Sequence, residues 1–202
     1  MSASAPRLLL RRPTEECVQR FLDAAVHEPF SYVERGASRD GAPSGYDLDH
    51  NRVRLGAGRA TFERARAALG RWAMFPPGWT RVVHREESIA VGQTVCVQFH
   101  LFGLHWLNAA RIVTVLDETA SAEGGPVRRS GFAYGTLTCH VERGEERFSV
   151  EWLADDSVWY DLRAFSRPSL WAARLAKPVA RALQRRFVRD SQAALRAAVE
   201  VG

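Results

Sequence analysis

The chain has 202 residues, 46% hydrophobic and 25% charged, with a formal net charge of +5. This is the composition of one globular domain with its own core, and it excludes disordered, collagen-like and low-complexity classes. The three cysteines, Cys17, Cys96 and Cys139, are far apart and form no C-x-x-C pair, which argues against a disulfide framework and fits a reducing cytoplasm.

Residues 1–13, "MSASAPRLLLRRP", hold three leucines between arginines, too short for a signal peptide, and read as a flexible tail. No stretch approaches the roughly 20 apolar residues of a membrane span. Nearly all the base is arginine, Lys177 being the only lysine, a bias that fits a GC-rich bacterial genome. A single domain is expected over 14–200. Residues 14–27 predict a helix capped by Thr14, with Val18, Phe21, Leu22 and Ala25 on one face. Residues 34–45 are loop by Gly, Pro and Ser content, 46–56 a strand, and 59–75 a second helix bearing Phe62, Ala65, Leu69 and Trp72. From Trp79 the period changes to two. Six strands are expected, near 79–88, 93–101, 104–117, 129–141, 145–153 and 157–165. A long helix then starts at Ser166 or Ser169 and runs to about residue 200. Its core stripe is Trp171, Leu175, Val179, Leu183, Phe187, Ala194 and Ala198, and Pro178 should kink it.

Turn placement fixes which side chains share a face. With a turn at Phe102-Gly103, the inner face carries Val95, Val97, Phe99, Trp106, Asn108, Ala110 and Ile112. With a turn at 154–156, Val158, Tyr160 and Leu162 join Val150 and Trp152. With a two-residue turn at Arg143-Gly144, Phe148 faces Cys139, Val150 faces Leu137, and Gly135 makes room for the indole of Trp152. Tyr134, Thr136, Thr138, His140 and Glu151 then lie on a polar outer face, and Glu142, Glu145 and Glu146 crowd an exposed tip.

The order helix, strand, helix, six strands, long helix is α+β. It predicts a helix-grip architecture: a curved antiparallel sheet of about seven strands around a C-terminal helix, with an additional N-terminal helix. The stretches "YDLDHNRVRLGAG", "FERARAALGRWAMFPPGW", "GFAYGTLTCHVERGEERF" and "AFSRPSLWAARLAKPVARALQ" resemble the family called domain of unknown function 1990, or UPF0548, over about residues 30–195. The resemblance implies a fold similar to Bet v 1 and START-like proteins, and implies no reaction. It marks Tyr134, Thr136, His140, Glu145 and Glu146 as family-motif positions of unassigned role.

The expected function is binding of an apolar or amphipathic small molecule between sheet and C-terminal helix, lined by Trp106, Asn108, Trp152 and Tyr160. One alternative is an enzyme of hydrolase, cyclase or isomerase type in the same cavity, favoured if Asp161, Glu151 or a histidine turns inward. Another is an interaction module using Arg174, Lys177, Arg181, Arg185 and Arg189 against an anionic surface. The aromatics that single-strand nucleic-acid binders interleave with their basic residues are missing there, which speaks against nucleic acid. His100, His105 and His140 are the candidate zinc ligands if they converge at one sheet end, but their spacing matches no zinc motif. No P-loop, dinucleotide fingerprint or nucleophile elbow appears, and no cofactor is expected.

Overall fold

The computed structural model describes residues 7–39, 41–86, 88–119, 127–168 and 177–200. The first helix, α1 (Glu15–Ala25), forms where expected. Thr14 accepts a hydrogen bond from the Cys17 amide at 3.2 Å, and Val18, Phe21, Leu22 and Ala25 are its buried residues. The second, α2 (Gly58–Gly70), buries Phe62, Ala65 and Leu69 as predicted but stops at Gly70. Trp72 lies beyond it in the left-handed region, at φ 60°, and still reaches the core.

Among the described residues the strands are β1 (Arg7–Leu9), β2 (Asp47–Ala57), β3 (Thr80–Val83), β4 (Thr94–Leu101), β5 (Leu104–Thr119), β6 (Arg128–Thr136), β7 (Glu142–Trp152) and β8 (Ser157–Pro168). All pairings are antiparallel, in the order β2-β8-β7-β6-β5-β4-β3, and β1 pairs with β5. The fold is therefore α+β, with eight strands rather than about seven. The additional strand comes from residues 7–9 of the expected tail, which pair with Leu107, Trp106 and His105.

The Phe102-Gly103 turn holds. His100 pairs with His105, and both turn residues have positive φ, the combination that matches strand twist in a two-residue hairpin. The Arg143-Gly144 turn does not hold. Gly144 lies inside β7 opposite Ser166 of β8, and the chain reverses at 137–141. Phe148 faces Phe132 rather than Cys139, Gly135 faces Glu145 rather than Trp152, and the residues of β6 exchange faces. Thr136 ends β6 because its hydroxyl donates to the Gly144 carbonyl at 3.1 Å and accepts from the Gly144 amide at 2.9 Å.

The C-terminal helix does not start at Ser166. Ser166 and Pro168 belong to β8, and the helix described is α3 (Lys177–Glu200). Pro178 is the second residue of this helix, and residues 169–176 before it lie outside the described residues. Trp171, Leu175 and Ser169 lie outside the described residues. Phe187, Ser191, Leu195 and Val199 are the buried stripe, one position on from the expected Ala194 and Ala198, and Val179 is exposed.

The sheet carries a core on each face. α2 and α3 cover one, with Val95, Val97, Ala110, Ile112, Phe132, Phe148, Val150, Val158, Tyr160 and Leu162. α1 covers part of the other, packing on Cys96, Leu107 and Ala109 with Leu137 and Cys139. Both tip-loop residues that the sequence placed in the main core thus belong to this second one.

Candidate functional site

A cavity of about 460 Å³ opens between α3, the β4–β5 hairpin and the 137–141 loop. Its walls are mostly apolar: Trp79, Phe99, Leu101, Trp106, Leu162, Leu183 and Phe187. Phe102, 84% exposed at the hairpin turn, and Val179 of α3 also line it. Alternation along β4 and β5 supplies the sheet wall, while the i, i+4 spacing of Val179, Leu183 and Phe187 supplies the helix wall.

The polar groups come chiefly from β6, β7 and the loop between them. Once the chain reverses at 137–141, Glu146 follows the parity of Phe148 and Val150 and points inward. Its carboxylate accepts a hydrogen bond from the Tyr134 hydroxyl at 2.6 Å. Glu146 lies deep in the protein, and the surface it retains is cavity wall. Burial pushes its carboxyl up to about 7; the Tyr134 hydrogen bond opposes this, and the charges of Glu142 and Asp49 add to it. Glu142 is also raised by burial, against hydrogen bonds from Ser166 and Gln184. His140 is neutral at pH 7 because burial drives its imidazole down to about 4, and its Nδ1 accepts from the Glu142 amide at 3.0 Å. The site is thus a pair of high-pKa acids beside a low-pKa imidazole.

Asn108 of β5 is fully buried in the same cavity wall. Its Oδ1 accepts from the Val141 amide at 3.2 Å, which fixes the amide orientation, and its Nδ2 has no hydrogen-bond partner among the described residues. A buried amide N–H without a partner costs about 1–3 kcal/mol, so a ligand oxygen that meets it gains that amount.

A polar chain ties the helix to this site. Arg181 pairs with Asp49 at 2.6 Å and donates to Gln184 at 3.2 Å, and Gln184 donates to Glu142 at 2.9 Å and to Ser166 at 3.3 Å.

Of the residues expected to line a cavity, Trp106 and Asn108 do. Trp152 instead packs against Phe62 and donates its indole N–H to Asp156 at 2.9 Å, and Tyr160 is buried against Ser191 at 2.9 Å. The motif residues Tyr134, His140 and Glu146 line the cavity, not an outer polar face. Glu145 points the other way and fastens the 31–39 loop. It accepts from the Tyr32 hydroxyl at 2.8 Å, the Gly36 amide at 2.8 Å, the Ser38 amide at 3.2 Å and the Ser38 hydroxyl. Gly135 makes room for the Tyr32 ring, not for Trp152: a Cβ there would lie 2.0 Å from the Tyr32 oxygen.

Asp161 and Glu151 stay on the outer face, and the histidine that turns inward is His140. His100 and His105 stack at 4.2 Å, but β1 occupies the sheet edge beside His105, so the three imidazoles do not converge. Among the described residues no group of three or more His, Cys, Asp or Glu side chains is placed to hold a metal. The basic stripe is partly spent: Arg181 pairs with Asp49 and Arg189 with Asp190 at 2.9 Å, while Arg185 is exposed. Lys177 is the first residue of α3, and Arg174 lies outside the described residues.

An antiparallel sheet packed on a long C-terminal helix, with a cavity between them, defines a helix-grip protein of the Bet v 1/START-like type. The chain belongs to the family described as "Domain of unknown function (DUF1990)", whose model matches residues 31–194. Curated relatives are UPF0548 proteins from Dictyostelium discoideum, 34% identical over 90% of both chains, and from Deinococcus radiodurans, 39% identical over 90% of this chain and 93% of that one. A further relative in Arabidopsis thaliana is 31% identical over 75% of this chain and 72% of that one, so the family includes eukaryotic members. Among solved structures, the Zhui aromatase/cyclase from Streptomyces sp. R1128 superposes with a TM-score of 0.50 at 15% identity, over 77% of this chain and 94% of that one. Ara h 8.0201 gives 0.47 at 9% identity, over 78% and 100%. These likenesses are in the fold. No helix among the described residues is long and apolar enough to cross a membrane.

Proposed function

We propose that the protein binds a neutral, largely apolar small molecule in the cavity, with an oxygen of the ligand accepting from Asn108. The observation that carries this reading is the buried, unpartnered Nδ2 of Asn108 in a cavity whose walls are mostly apolar. The cavity is of the size that small-molecule sites occupy, about 300–1,000 Å³. A ligand carrying a carboxylate is disfavoured, because Glu142, Glu146 and Asp49 line the same space.

Quenching of Trp79 and Trp106 fluorescence measures binding. In Asn108→Leu the affinity for 2-decanone falls about tenfold, the worth of one hydrogen bond left unmade, while the affinity for decane changes by less than about threefold. Equal losses for both ligands, or no loss for either, contradict the assignment.

A second reading is favoured by Glu146. A carboxyl that titrates near neutrality, held by Tyr134 and facing a cavity, is equipped to donate and recover a proton at a bound carbonyl or enol. Under this reading the ligand is a substrate. Its mass or absorption spectrum changes on incubation with the wild type and stays fixed with Glu146→Gln, although both bind it. An unchanged ligand in the wild type rejects the enzymatic reading and leaves the binding reading standing.

A further inference from the structure

The face of the sheet opposite the cavity carries a second concavity of different chemistry. Side chains at alternate positions of four strands meet there. Along one row lie His50, Arg163 and Arg147; along the next, Arg52, Asp161 and Ser149; beyond them, Glu151 and Arg129. The partners of Arg147 and Ser149 on β6 are Ala133 and Gly131, and Gly131 is required there because a Cβ would lie 2.1 Å from the Phe148 carbonyl oxygen. The 31–39 loop, held down by Glu145, brings Arg39 over this floor. The Arg39 carbonyl accepts from Arg147 at 3.2 Å and from Arg163 at 3.4 Å. The resulting basin has a volume of about 320 Å³.

We propose that this basin is a second binding site, for the phosphate group of a small soluble molecule, gripped by Arg52, Arg129, Arg147 and Arg163. The first argument is charge. Five arginines, counting Arg39, face three carboxylates among the described residues. Glu151 takes Arg52 at 2.6 Å and Arg129 at 2.8 Å; Asp161 takes Arg147 at 2.8 Å, Arg52 at 3.1 Å and His50 at 2.6 Å; Glu118 takes Arg39 at 3.0 Å and Arg129 at 3.1 Å. Every carboxylate is shared, and positive charge remains in excess. Arg147 is 4% exposed, and a cation so deeply withdrawn from water needs compensation.

The second argument is unsatisfied hydrogen bonding. Arg147 Nε, Arg163 Nε and Ser149 Oγ are all buried and have no partner among the described residues. Such orphans are rare in native proteins, and two of these three, Arg147 Nε and Arg163 Nε, belong to residues that line the basin, which marks a place where a partner belongs. The third argument is shape. Guanidinium forks on adjacent strands match the oxygens of a phosphate, which can accept from several at once. Fixed positive side chains in a recess also concentrate an anion more than scattered surface arginines do. The two sites lie on opposite faces of the sheet: Phe148 and Val150 pack in the core on the cavity side, whereas Arg147, which alternates with them, lines this basin.

Pyrophosphate is the probe, followed by two-dimensional NMR of the arginine Nε–H groups of the wild-type protein at low salt. Saturable shifts of the Arg147 and Arg163 signals are expected, with an affinity that falls as salt is raised. Calorimetry on Arg52→Gln/Arg129→Gln should show at least about a tenfold loss, two charge-assisted contacts being removed. Ala180 of α3 lines the cavity, and Ala180→Trp, which fills it, should leave pyrophosphate binding unchanged. The proposal is overturned if the wild type shows no saturable shift at millimolar pyrophosphate. It is equally overturned if the shifts fall on Arg185 and Arg189 of α3, or if the folded double variant binds as tightly as the wild type.

Discussion

Alanine at Gly144 costs the protein about 3 kcal/mol or more, the sum of a steric overlap and backbone strain. Gly144 holds φ +151° inside β7, and a Cβ there would sit 1.9 Å from the Phe165 carbonyl oxygen and 2.9 Å from the Ser166 Cα. Both atoms are backbone of the adjacent strand, so relief requires β7 and β8 to part. That movement also strains the two hydrogen bonds between Gly144 and the Thr136 hydroxyl. Glu145 and Glu146 follow Gly144 directly, so the loop anchor and the cavity acid are displaced together. Gly103→Ala is the control. It also has positive φ, 75°, but nothing lies within 4 Å, and about 1 kcal/mol is expected. Urea unfolding midpoints decide the matter: equal midpoints for G144A and G103A refute the argument.

Replacing Glu146 with Gln changes the pH dependence of stability in a direction that the cavity dictates. Glu146 titrates near 7 in the folded protein and at 4.5 when exposed, so between these values the folded state holds the extra proton. Its contribution is fully present below pH 4.5 and is lost as pH rises through 7. His140 acts oppositely. It titrates near 4 when folded and at 6.5 when exposed, so its contribution is present above 6.5 and lost as pH falls through 4. The two slopes oppose each other between pH 4.5 and 6.5, where the wild type should be nearly flat. In Glu146→Gln the rise due to His140 stands alone, and the stability difference between variant and wild type grows by about 2–3 kcal/mol from pH 4 to pH 8. A difference that is constant with pH would mean that Glu146 is solvated as an ordinary surface carboxylate.

Local chemistry was legible in the sequence wherever it decided the outcome. The α1 stripe followed from a 3.6-residue period and a threonine cap, and the Phe102-Gly103 hairpin placed Trp106 and Asn108 on the inner wall through alternation alone. The 131–152 hairpin misled because Arg143-Gly144 is good turn chemistry. What overrides it is non-local: Thr136 and Ser166 engage Gly144, and Leu137 and Cys139 find α1, whose packing against the far side of the sheet no period reveals. A turn displaced by a few residues exchanged the faces of β6 and hid Tyr134 and Glu146 from the cavity. Parity with Phe148 and Val150 was the signal that could have recovered Glu146. The arginine basin had no sequence signal, because His50, Arg52, Arg129, Arg147 and Arg163 meet only through the pairing of four strands. Ser166 and Pro168 were misread because they suit a helix N-terminus as well as the end of an edge-proximal strand.

The most direct test of the cavity as a ligand site is native mass spectrometry of the protein isolated from its own host, with wild type and Ala180→Trp compared side by side and each set against its denatured mass. The account predicts an organic species on the wild type, released on denaturation and absent from the filled-cavity variant. The bare polypeptide mass for both proteins, or the same adduct on both, would contradict it.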